Sequence, residues 1–223
     1  MYMTISAVIV AAGKSTRMNG ANKIFSELNG EPVLSYSLKI FTQGNIFQEI
    51  ALVVSEFDYD KTCEYLKRFK EHNILLVTGG PRRQDSVKKG LDSLTKTSFV
   101  AIHDAARPCV SKDIIDQGIK VVSEYGSAIP VIPITSTVKL VDESGFILNT
   151  LDRNNLFEAQ TPQFFNYEMI MKIHKSIVDS CTDDANMAEL SGKDIKTFDG
   201  HPSNIKITSK SDLILAERFL EGQ

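Results

Sequence analysis

The sequence of 223 residues lacks several features that would place it in a specialised class of protein. Its three cysteines, Cys63, Cys109 and Cys181, are widely spaced and form no Cys-x-x-Cys pair, which favours a reduced, cytoplasmic protein. The four histidines show no metal-ligand spacing. No apolar run approaches the roughly 18 residues that a membrane span needs, and the first apolar run lacks the basic flank and cleavage site of a secretory signal.

An excess of charge of one sign is also missing. The formal net charge is −3, which argues against a general nucleic-acid binder, so any affinity for polyanions has to come from a local cluster. Hydrophobic residues make up 42% and charged residues 24% of the chain, close to globular averages, which argues against disorder. Without linkers, repeats or low-complexity segments, the chain is predicted to form one domain over residues 1–223.

The first notable segment is a short apolar run over residues 5–10, rich in β-branched side chains, which is typical of a buried strand in a parallel sheet. It is followed by the small residues Ala11, Ala12 and Gly13, where the backbone can approach a ligand closely. Cations then follow at Lys14, Arg17 and Lys23. Backbone N–H groups after a strand, with cations nearby, form an anion site. The segment predicts a phosphate-binding loop for a nucleotide.

Two familiar phosphate loops do not match this segment. A Walker A loop requires glycine where the chain has Val8. A dinucleotide-binding fingerprint requires a second glycine where the chain has Ser15, which disfavours a dehydrogenase. The alternative interpretation is an ordinary strand-to-helix turn with surface lysines.

Apolar segments and amphipathic segments alternate over most of the chain. Strands are predicted at 49–55, 73–78, 98–103 and 128–133, and helices at 32–42, 58–70, 84–94 and 112–125. This alternation predicts βαβ units and a mostly parallel sheet. Further elements are predicted as a hairpin at 137–150, helices at 167–178, 182–190 (with Thr182 as N-cap) and 211–220, and short strands at 195–198 and 204–208. A hairpin of this size is marginal alone, so the arm at about 136–153 requires cover from its own domain or from a second subunit.

Charged residues, in one case together with a serine, follow three of the predicted strands. They are Arg17 and Lys23 after the first, Arg83 with Ser86 after the third, and Asp104 with Arg107 after the fourth. Such a sheet gathers these ends along one edge. Cations with one carboxylate suit Mg²⁺ shared with substrate phosphates, which is the equipment of phosphoryl or nucleotidyl transfer.

Eight motifs in order along the chain resemble the 2-C-methyl-D-erythritol 4-phosphate cytidylyltransferase family. They are Ala11-Ala12-Gly13 with Arg17-Met18 and Lys23, Gly79-Gly80 with Arg83-Gln84-Asp85-Ser86-Val87, His103-Asp104-Ala105-Ala106-Arg107-Pro108, Thr137-Val138-Lys139, Leu151-Asp152-Arg153, Gln160-Thr161-Pro162-Gln163, Thr182-Asp183-Asp184, and Asn204-Ile205-Lys206-Ile207-Thr208. Each motif alone is weak, but all of them in one order form a strong resemblance.

The resemblance implies an enzyme that transfers CMP from CTP to methylerythritol phosphate, a sugar-alcohol phosphate, with release of pyrophosphate. It implies an α/β fold of the nucleotide-diphospho-sugar transferase type, with a mostly parallel three-layer α/β/α sheet and a protruding β-hairpin arm. It also implies Mg²⁺ beside Asp104 and a homodimer whose arms embrace. No nucleic-acid or membrane partner is expected.

The resemblance also implies roles for individual residues. The CTP triphosphate would be held by Ala11, Ala12, Gly13, Arg17 and Lys23, and Lys23 would stabilise the transition state. The cytosine and ribose would be bordered by Gly80, Arg83, Ser86, Asp104 and Ala105. The acceptor would be bound by Arg107, Thr137, Arg153, Thr182, Asp183 and Lys206, with Arg153 contributed across the dimer. The residues expected to act in catalysis are Arg17, Lys23 and Arg153.

Two residues depart from the family pattern. Ile24 stands where family members often have glutamine, and Pro81 stands where they often have an acidic residue. Proline removes a backbone donor, so a base contact would be lost or rerouted. The competing interpretations are a related cytidylyltransferase that uses ribitol 5-phosphate and a catalytically silent nucleotide-binding protein. His103, which has no orienting partner in the sequence, is predicted to pack beneath the site and not to act as a base.

Overall fold

The computed structural model describes residues 3–13 and 23–222 of the chain. Its strands in chain order are Ile5–Ala11 (β1), Glu27–Leu28 (β2), Glu31–Pro32 (β3), Ile50–Val54 (β4), Ile74–Thr78 (β5), Phe99–Asp104 (β6), Ser127–Pro133 (β7), Lys139–Val141 (β8), Ile147–Thr150 (β9), Phe157–Ala159 (β10), Gln163–Asn166 (β11) and Lys196–Asp199 (β12). Its α-helices are Val33–Thr42 (α1), Tyr59–Leu66 (α2), Arg83–Ser93 (α3), Lys112–Tyr125 (α4), Tyr167–Ser176 (α5), Asp184–Leu190 (α6) and Lys210–Glu221 (α7).

The central sheet has the strand order β10-β7-β11-β6-β1-β4-β5, and β12 also pairs with β7. The strands β6, β1, β4 and β5 are parallel to one another, as are β12 and β7. The short strands β10 and β11 run antiparallel to their neighbours. The sheet is therefore mixed but mostly parallel, as predicted. Val10 lies beside Asp104 in the register of β1 and β6, so these two strand ends are neighbours.

Helices cover both faces of the sheet, so the side chains of β1 are buried on both sides. Ala7 and Ile9 pack with residues of α1 and α4 on one face, whereas Val8 packs with residues of α3 and α5 on the other. A Cβ built on Gly90 of α3 would lie 2.5 Å from Val8 Cγ1. This close approach seats α3 against β1 and brings the first residue of α3, Arg83, to the end of the sheet where β1 stops.

The hairpin of β8 and β9 forms a separate two-stranded sheet. Its apolar side chains are exposed in the single chain, and Phe146 at the turn is 73% exposed. The other exposed apolar residues of the hairpin are Leu140, Val141, Ile147 and Leu148. Among the described residues, no helix is long and apolar enough to cross a membrane.

Some predicted boundaries and elements are wrong. The N-cap of α6 is Asp183 and not Thr182, because the Asp183 carboxylate accepts a hydrogen bond of 2.8 Å from the backbone N–H of Asn186. Residues 204–208 do not form a strand; their backbone is held by separate contacts, such as the hydrogen bond from Ile207 N–H to the Ala106 carbonyl (2.8 Å). The short strands β2, β3, β10 and β11 were not predicted, since each has only two to four residues.

Candidate active site

A cavity of about 310 Å³ opens at the carboxyl ends of β1, β5 and β6. Its wall contains residues 10–13 at the end of β1, the pair Lys23 and Ile24, residues 80–83 with Ser86 after β5, and Asp104 with Ala106 at the end of β6. Lys206, from the irregular segment before α7, completes the lining. The three strand ends that carry charged residues in the sequence therefore meet at one cavity.

The turn after β5 packs tightly on the loop after β1. A Cβ built on Gly79 would lie 2.5 Å from Ala12 Cβ, and one built on Gly80 would lie 2.5 Å from Asp85 Cβ. The glycine pair therefore allows a close approach that side chains would block. The Gly80 N–H donates to Ser86 Oγ (3.0 Å) and the Arg82 N–H donates to Asp85 Oδ2 (3.1 Å). With proline at position 81, this turn has already used or lost three successive backbone donors.

Asp104 is the carboxylate of the cavity, and it is the last residue of β6. Its side chain is nearly buried, with Arg83 Nε 2.9 Å from Oδ1 and Lys206 Nζ 2.6 Å from Oδ2. Its backbone N–H donates to Thr161 Oγ1 (3.1 Å). Burial by itself would raise the pKa of Asp104, but the charges of Arg83 and Lys206 outweigh it and hold the pKa well below its usual range. The cavity therefore holds a permanent carboxylate between two cations.

Arg83 bridges Asp104 to a second, deeper carboxylate. Its Nη1 atom lies 2.7 Å from Oδ2 of Asp184, whose side chain is fully buried. Burial opposes the charge on both partners, but their mutual attraction is stronger, so the pKa of Arg83 is raised and that of Asp184 is lowered. The other oxygen of Asp184 lies 2.9 Å from His174 Nε2. The sequence carries no signal for the roles of Asp184 and His174, because only the fold brings α5 and α6 against α3.

His103 lies beneath the cavity floor, as predicted. It is completely buried, and its ring nitrogens lie 3.3 Å from Ser37 Oγ and 3.1 Å from Thr161 Oγ1. Burial lowers the pKa of His103 to about 3. A neutral imidazole held by two hydroxyl groups braces the strand end that carries Asp104.

Lys23 places its ammonium group at the loop after β1. A Cβ built on Gly13 would lie 4.0 Å from Lys23 Nζ. The described cations at the cavity thus approach from three directions, since Lys23 precedes β2, Arg83 begins α3 and Lys206 precedes α7. Arg17, which was predicted to join them, lies outside the described residues. Such a convergence of cations suits a ligand with several phosphates.

Arg107 occupies a different position from the cavity cations. Its side chain is buried, and its guanidinium donates to the carbonyl groups of Asn204 (2.7 Å) and Ala159 (3.3 Å). It therefore joins two backbone segments behind the cavity, and its predicted contact with the acceptor stays a prediction. Ala105 is also buried, and its N–H donates to the Val10 carbonyl (3.0 Å), which fixes the end of β6 to β1.

The remaining predicted acceptor residues do not line this cavity in the single chain. Thr137 and Arg153 are exposed at the base of the hairpin, where Arg153 Nη1 donates to the carbonyl of Thr135. Thr182 is exposed, and Asp183 accepts a hydrogen bond of 2.8 Å from Gln163 Nε2. The structure of one chain therefore brings Lys206 to the cavity but not these four residues.

A divalent metal ion at the cavity could use Asp104, the one carboxylate among the described residues that line it. Among the described residues, no group of three or more His, Cys, Asp or Glu side chains could hold a metal. Each Asp104 oxygen contacts one cation and keeps a further lone pair, since a carboxylate has about four acceptor positions. This donor set fits Mg²⁺, which commonly takes one or two carboxylates and completes its shell with phosphate oxygens and water.

Comparison with known proteins finds relatives over nearly the whole chain. The family model described as IspD, 2-C-methyl-D-erythritol 4-phosphate cytidylyltransferase, matches residues 5–222. The protein of that name from Caldanaerobacter subterraneus is 42% identical to this chain, and the match covers 98% of this chain and 99% of that protein. The one from Dehalococcoides mccartyi is 40% identical, and the match covers 97% of this chain and 96% of that protein.

Solved structures lead to the same family. The 4-diphosphocytidyl-2C-methyl-D-erythritol synthase from Anaerococcus prevotii is 29% identical with a TM-score of 0.88, covering 98% of this chain and 96% of its own. The 2-C-methyl-D-erythritol 4-phosphate cytidylyltransferase from Francisella tularensis is 28% identical with a TM-score of 0.82, covering 97% of this chain and 99% of its own.

Proposed function

This chain belongs to the 2-C-methyl-D-erythritol 4-phosphate cytidylyltransferase family, and we propose that its cavity carries out the reaction for which that family is named. The enzyme transfers CMP from CTP to 2-C-methyl-D-erythritol 4-phosphate, which gives CDP-methylerythritol and pyrophosphate for isoprenoid precursor biosynthesis. The observation that carries the proposal is the meeting of Lys23, Arg83, Lys206 and the Asp104 carboxylate in one cavity at the ends of β1, β5 and β6.

The triphosphate of CTP is proposed to bind at the loop after β1. Backbone groups of Ala11, Ala12 and Gly13 approach it closely, and Lys23 and Arg17 supply positive charge. As the bond between the α-phosphorus and its bridging oxygen breaks, negative charge moves onto the departing pyrophosphate. A fixed ammonium at Lys23 stabilises that charge more in the transition state than in the ground state, which is what accelerates the step.

The cytosine and ribose are proposed to lie along the turn after β5. Gly80 and Ser86 border the base, Arg83 lies between the base and Asp104, and Asp104 with Ala105 lies near the ribose. Because the N–H groups of Gly80 and Arg82 are already bonded within the turn, the turn offers the base mainly carbonyl acceptors. The exocyclic amine of cytosine is a donor, so it can use such acceptors where the uracil carbonyl cannot.

The acceptor is proposed to enter beside Lys206. A phosphate oxygen of methylerythritol phosphate attacks the α-phosphorus of CTP, the new P–O bond forms, and pyrophosphate leaves with the electron pair of the broken bond. Lys206 holds the sugar phosphate, Arg107 lies near it, and Thr182 and Asp183 border the same region. Thr137 and Arg153 are proposed to complete this subsite from the partner subunit.

Magnesium is proposed as the cofactor, held by Asp104 together with the substrate's phosphates. When bound, it neutralises phosphate charge and helps to align the triphosphate. Lys206 and Arg83 keep Asp104 ionised and oriented for this role whether or not the metal is bound.

The homodimer is proposed from the exposed apolar arm. A two-stranded hairpin is marginally stable by itself, and a twofold partner can cover the same surface on each subunit. We assign residues 1–223 to one cytidylyltransferase domain with its arm at about 136–153. A cytoplasmic location is proposed as well, and the three free cysteines support it.

The proposal is tested by mixing the protein with CTP, Mg²⁺ and one polyol phosphate at a time while pyrophosphate release is followed. Release is expected with methylerythritol phosphate, with a much higher kcat/KM than with ribitol 5-phosphate. A preference for ribitol 5-phosphate would show that the proposed acceptor is wrong. No pyrophosphate release with either acceptor would contradict the proposed activity.

A further inference from the structure

A buried acid outside the cavity lining holds one of the cavity cations. Asp184 is the first residue of α6, and its side chain is 0% exposed. One of its oxygens accepts from Arg83 Nη1 at 2.7 Å, and the other lies 2.9 Å from His174 Nε2 on α5. Asp184 therefore has a cation on the cavity side and an imidazole on the other.

We propose that Asp184, with His174 behind it, is a positioning residue that fixes the Arg83 guanidinium in the orientation that binds the nucleoside of CTP. This inference rests on the proposed function, because it assigns Arg83 to the nucleotide. Asp184 itself touches neither substrate.

The division of Arg83 between two carboxylates is the geometric basis of this role. A guanidinium readily forms two parallel hydrogen bonds with a single carboxylate. Here Arg83 instead gives Nε to Asp104 (2.9 Å) and Nη1 to Asp184 (2.7 Å). Asp184 therefore prevents Arg83 from turning fully onto Asp104.

The third guanidinium nitrogen indicates what this orientation serves. Arg83 Nη2 is buried and has no hydrogen-bond partner in the parts of the chain that the structure describes. Buried donors in folded proteins are nearly always paired, and Arg83 lines the cavity. The Arg83 side chain is 25% exposed, and because it is held at Nε and Nη1 it meets a ligand in a fixed orientation, so binding requires little reordering of a long side chain.

His174 completes the arrangement by fixing the carboxylate. It is buried on α5, and its Nε2 atom occupies the Asp184 oxygen that Arg83 leaves open. With both oxygens engaged, the carboxylate plane cannot rotate about its χ2 angle without breaking a hydrogen bond. The order of support thus runs from His174 to Asp184 to Arg83.

The decisive experiment measures CTP binding to the full-length protein by isothermal titration calorimetry. Asp184→Asn keeps the size of the side chain and removes its charge. We expect about a 10-fold increase in the Kd of CTP, the usual scale for a lost charge-assisted hydrogen bond. The KM of methylerythritol phosphate at saturating CTP should change by less than about twofold, because Arg83 is not proposed to bind the acceptor. Glu49→Gln is the matched control, since Glu49 is a buried carboxylate that bonds Thr95 away from the cavity.

A double-mutant cycle with Arg83→Gln separates positioning from general destabilisation. If Asp184 acts through Arg83, adding Asp184→Asn to Arg83→Gln should weaken CTP binding by less than about twofold further. His174→Gln, which retains a nitrogen near the Nε2 position, serves as a milder second variant and should raise the Kd in the same direction.

Three outcomes would overturn the inference: multiplicative effects in the cycle, an unchanged Kd in both Asp184→Asn and His174→Gln, or an equal change in Glu49→Gln. The wild type keeps the two proposals distinguishable. If the wild type does not release pyrophosphate from CTP and methylerythritol phosphate, the proposed function fails. If it does and any of those three outcomes occurs, only the role of Asp184 is wrong.

Discussion

Lys206 Nζ lies 2.6 Å from Oδ2 of Asp104, on the opposite side of the carboxylate from Arg83. The two residues are far apart in the sequence, and they meet because the irregular segment before α7 is bonded to the end of β6 through Ile207 N–H and the Ala106 carbonyl. Lys206 is partly exposed, so its ammonium can contact a ligand in the cavity while it remains paired with Asp104.

Replacing Lys206 by methionine should weaken binding of the acceptor more than binding of the nucleotide. Lys206→Met removes the proposed contact with the sugar phosphate, and a lost charge-assisted bond corresponds to about a 10-fold or greater rise in KM for methylerythritol phosphate. Steady-state kinetics at saturating CTP measure this change. Lys210→Met, at an exposed lysine at the start of α7, is the control. An unchanged KM for the acceptor would remove Lys206 from that subsite.

Replacing Lys23 by alanine should lower kcat more than it lowers the affinity for CTP. A fixed ammonium at the phosphates contributes most when charge shifts toward pyrophosphate, and loss of one such group typically lowers kcat by about 10²–10³. The Kd of CTP should change much less. Lys67→Ala, at an exposed lysine paired with Glu64, is the control. A turnover within about threefold of the wild type would contradict the assignment, because it is far below that typical loss.

The central fold could be predicted because the strands that form it are buried on both faces. Continuous apolar runs such as that of β1 differ clearly from the amphipathic helices between them. The best-predicted element is α4, whose observed bounds are those predicted. Ser111 caps its first turn, and Gly126 ends it with a φ of 79°, so both ends have local causes that the sequence displays.

The antiparallel strands and the buried acid could not be predicted for physical reasons. Residues 163–166 are too few to show a period, yet β11 is inserted between β6 and β7 because Phe164 and Phe165 fill both cores. Asp184 follows another aspartate, and the pair looks alike in the sequence. One caps the helix from outside, whereas the other turns inward to Arg83, a difference that only tertiary packing decides.

His103 should make stability depend on pH in a defined window. Burial lowers the pKa of His103 from 6.5 to about 3 in the folded protein. Between these two pH values His103 is therefore protonated in the unfolded chain but neutral in the folded protein. Stability from this group is therefore full above pH 6.5 and falls as the pH decreases toward 3. The expected loss between pH 7 and pH 5 is about 2 kcal/mol.

Urea unfolding at several pH values, compared between wild type and His103→Gln, isolates this contribution. The variant should lack that part of the acid-side loss, although it is less stable at pH 7 if its hydrogen bonds to Ser37 and Thr161 are poorer. His72→Gln removes a half-buried histidine in the turn before β5 and is the control. Identical pH slopes for wild type and His103→Gln would show that His103 does not supply the dependence.

The exposed arm leads to the last prediction, which concerns catalysis across two subunits. Phe146 and Ile147 are 73% and 63% exposed in one chain, and Arg153 at the base of the arm does not reach the cavity of its own chain. If twofold partners cover each other's arms, Arg153 can bind the acceptor phosphate in the neighbouring site.

Lys23→Ala and Arg153→Ala homodimers should then each be nearly inactive. After subunit exchange, about half of the dimers carry one variant of each kind, and each of these has one intact site, so recovery should approach roughly a quarter of wild-type activity. The mixing is followed by pyrophosphate release, with exchange verified on differently tagged chains. Verified exchange without recovery would mean that Arg153 serves the site of its own subunit.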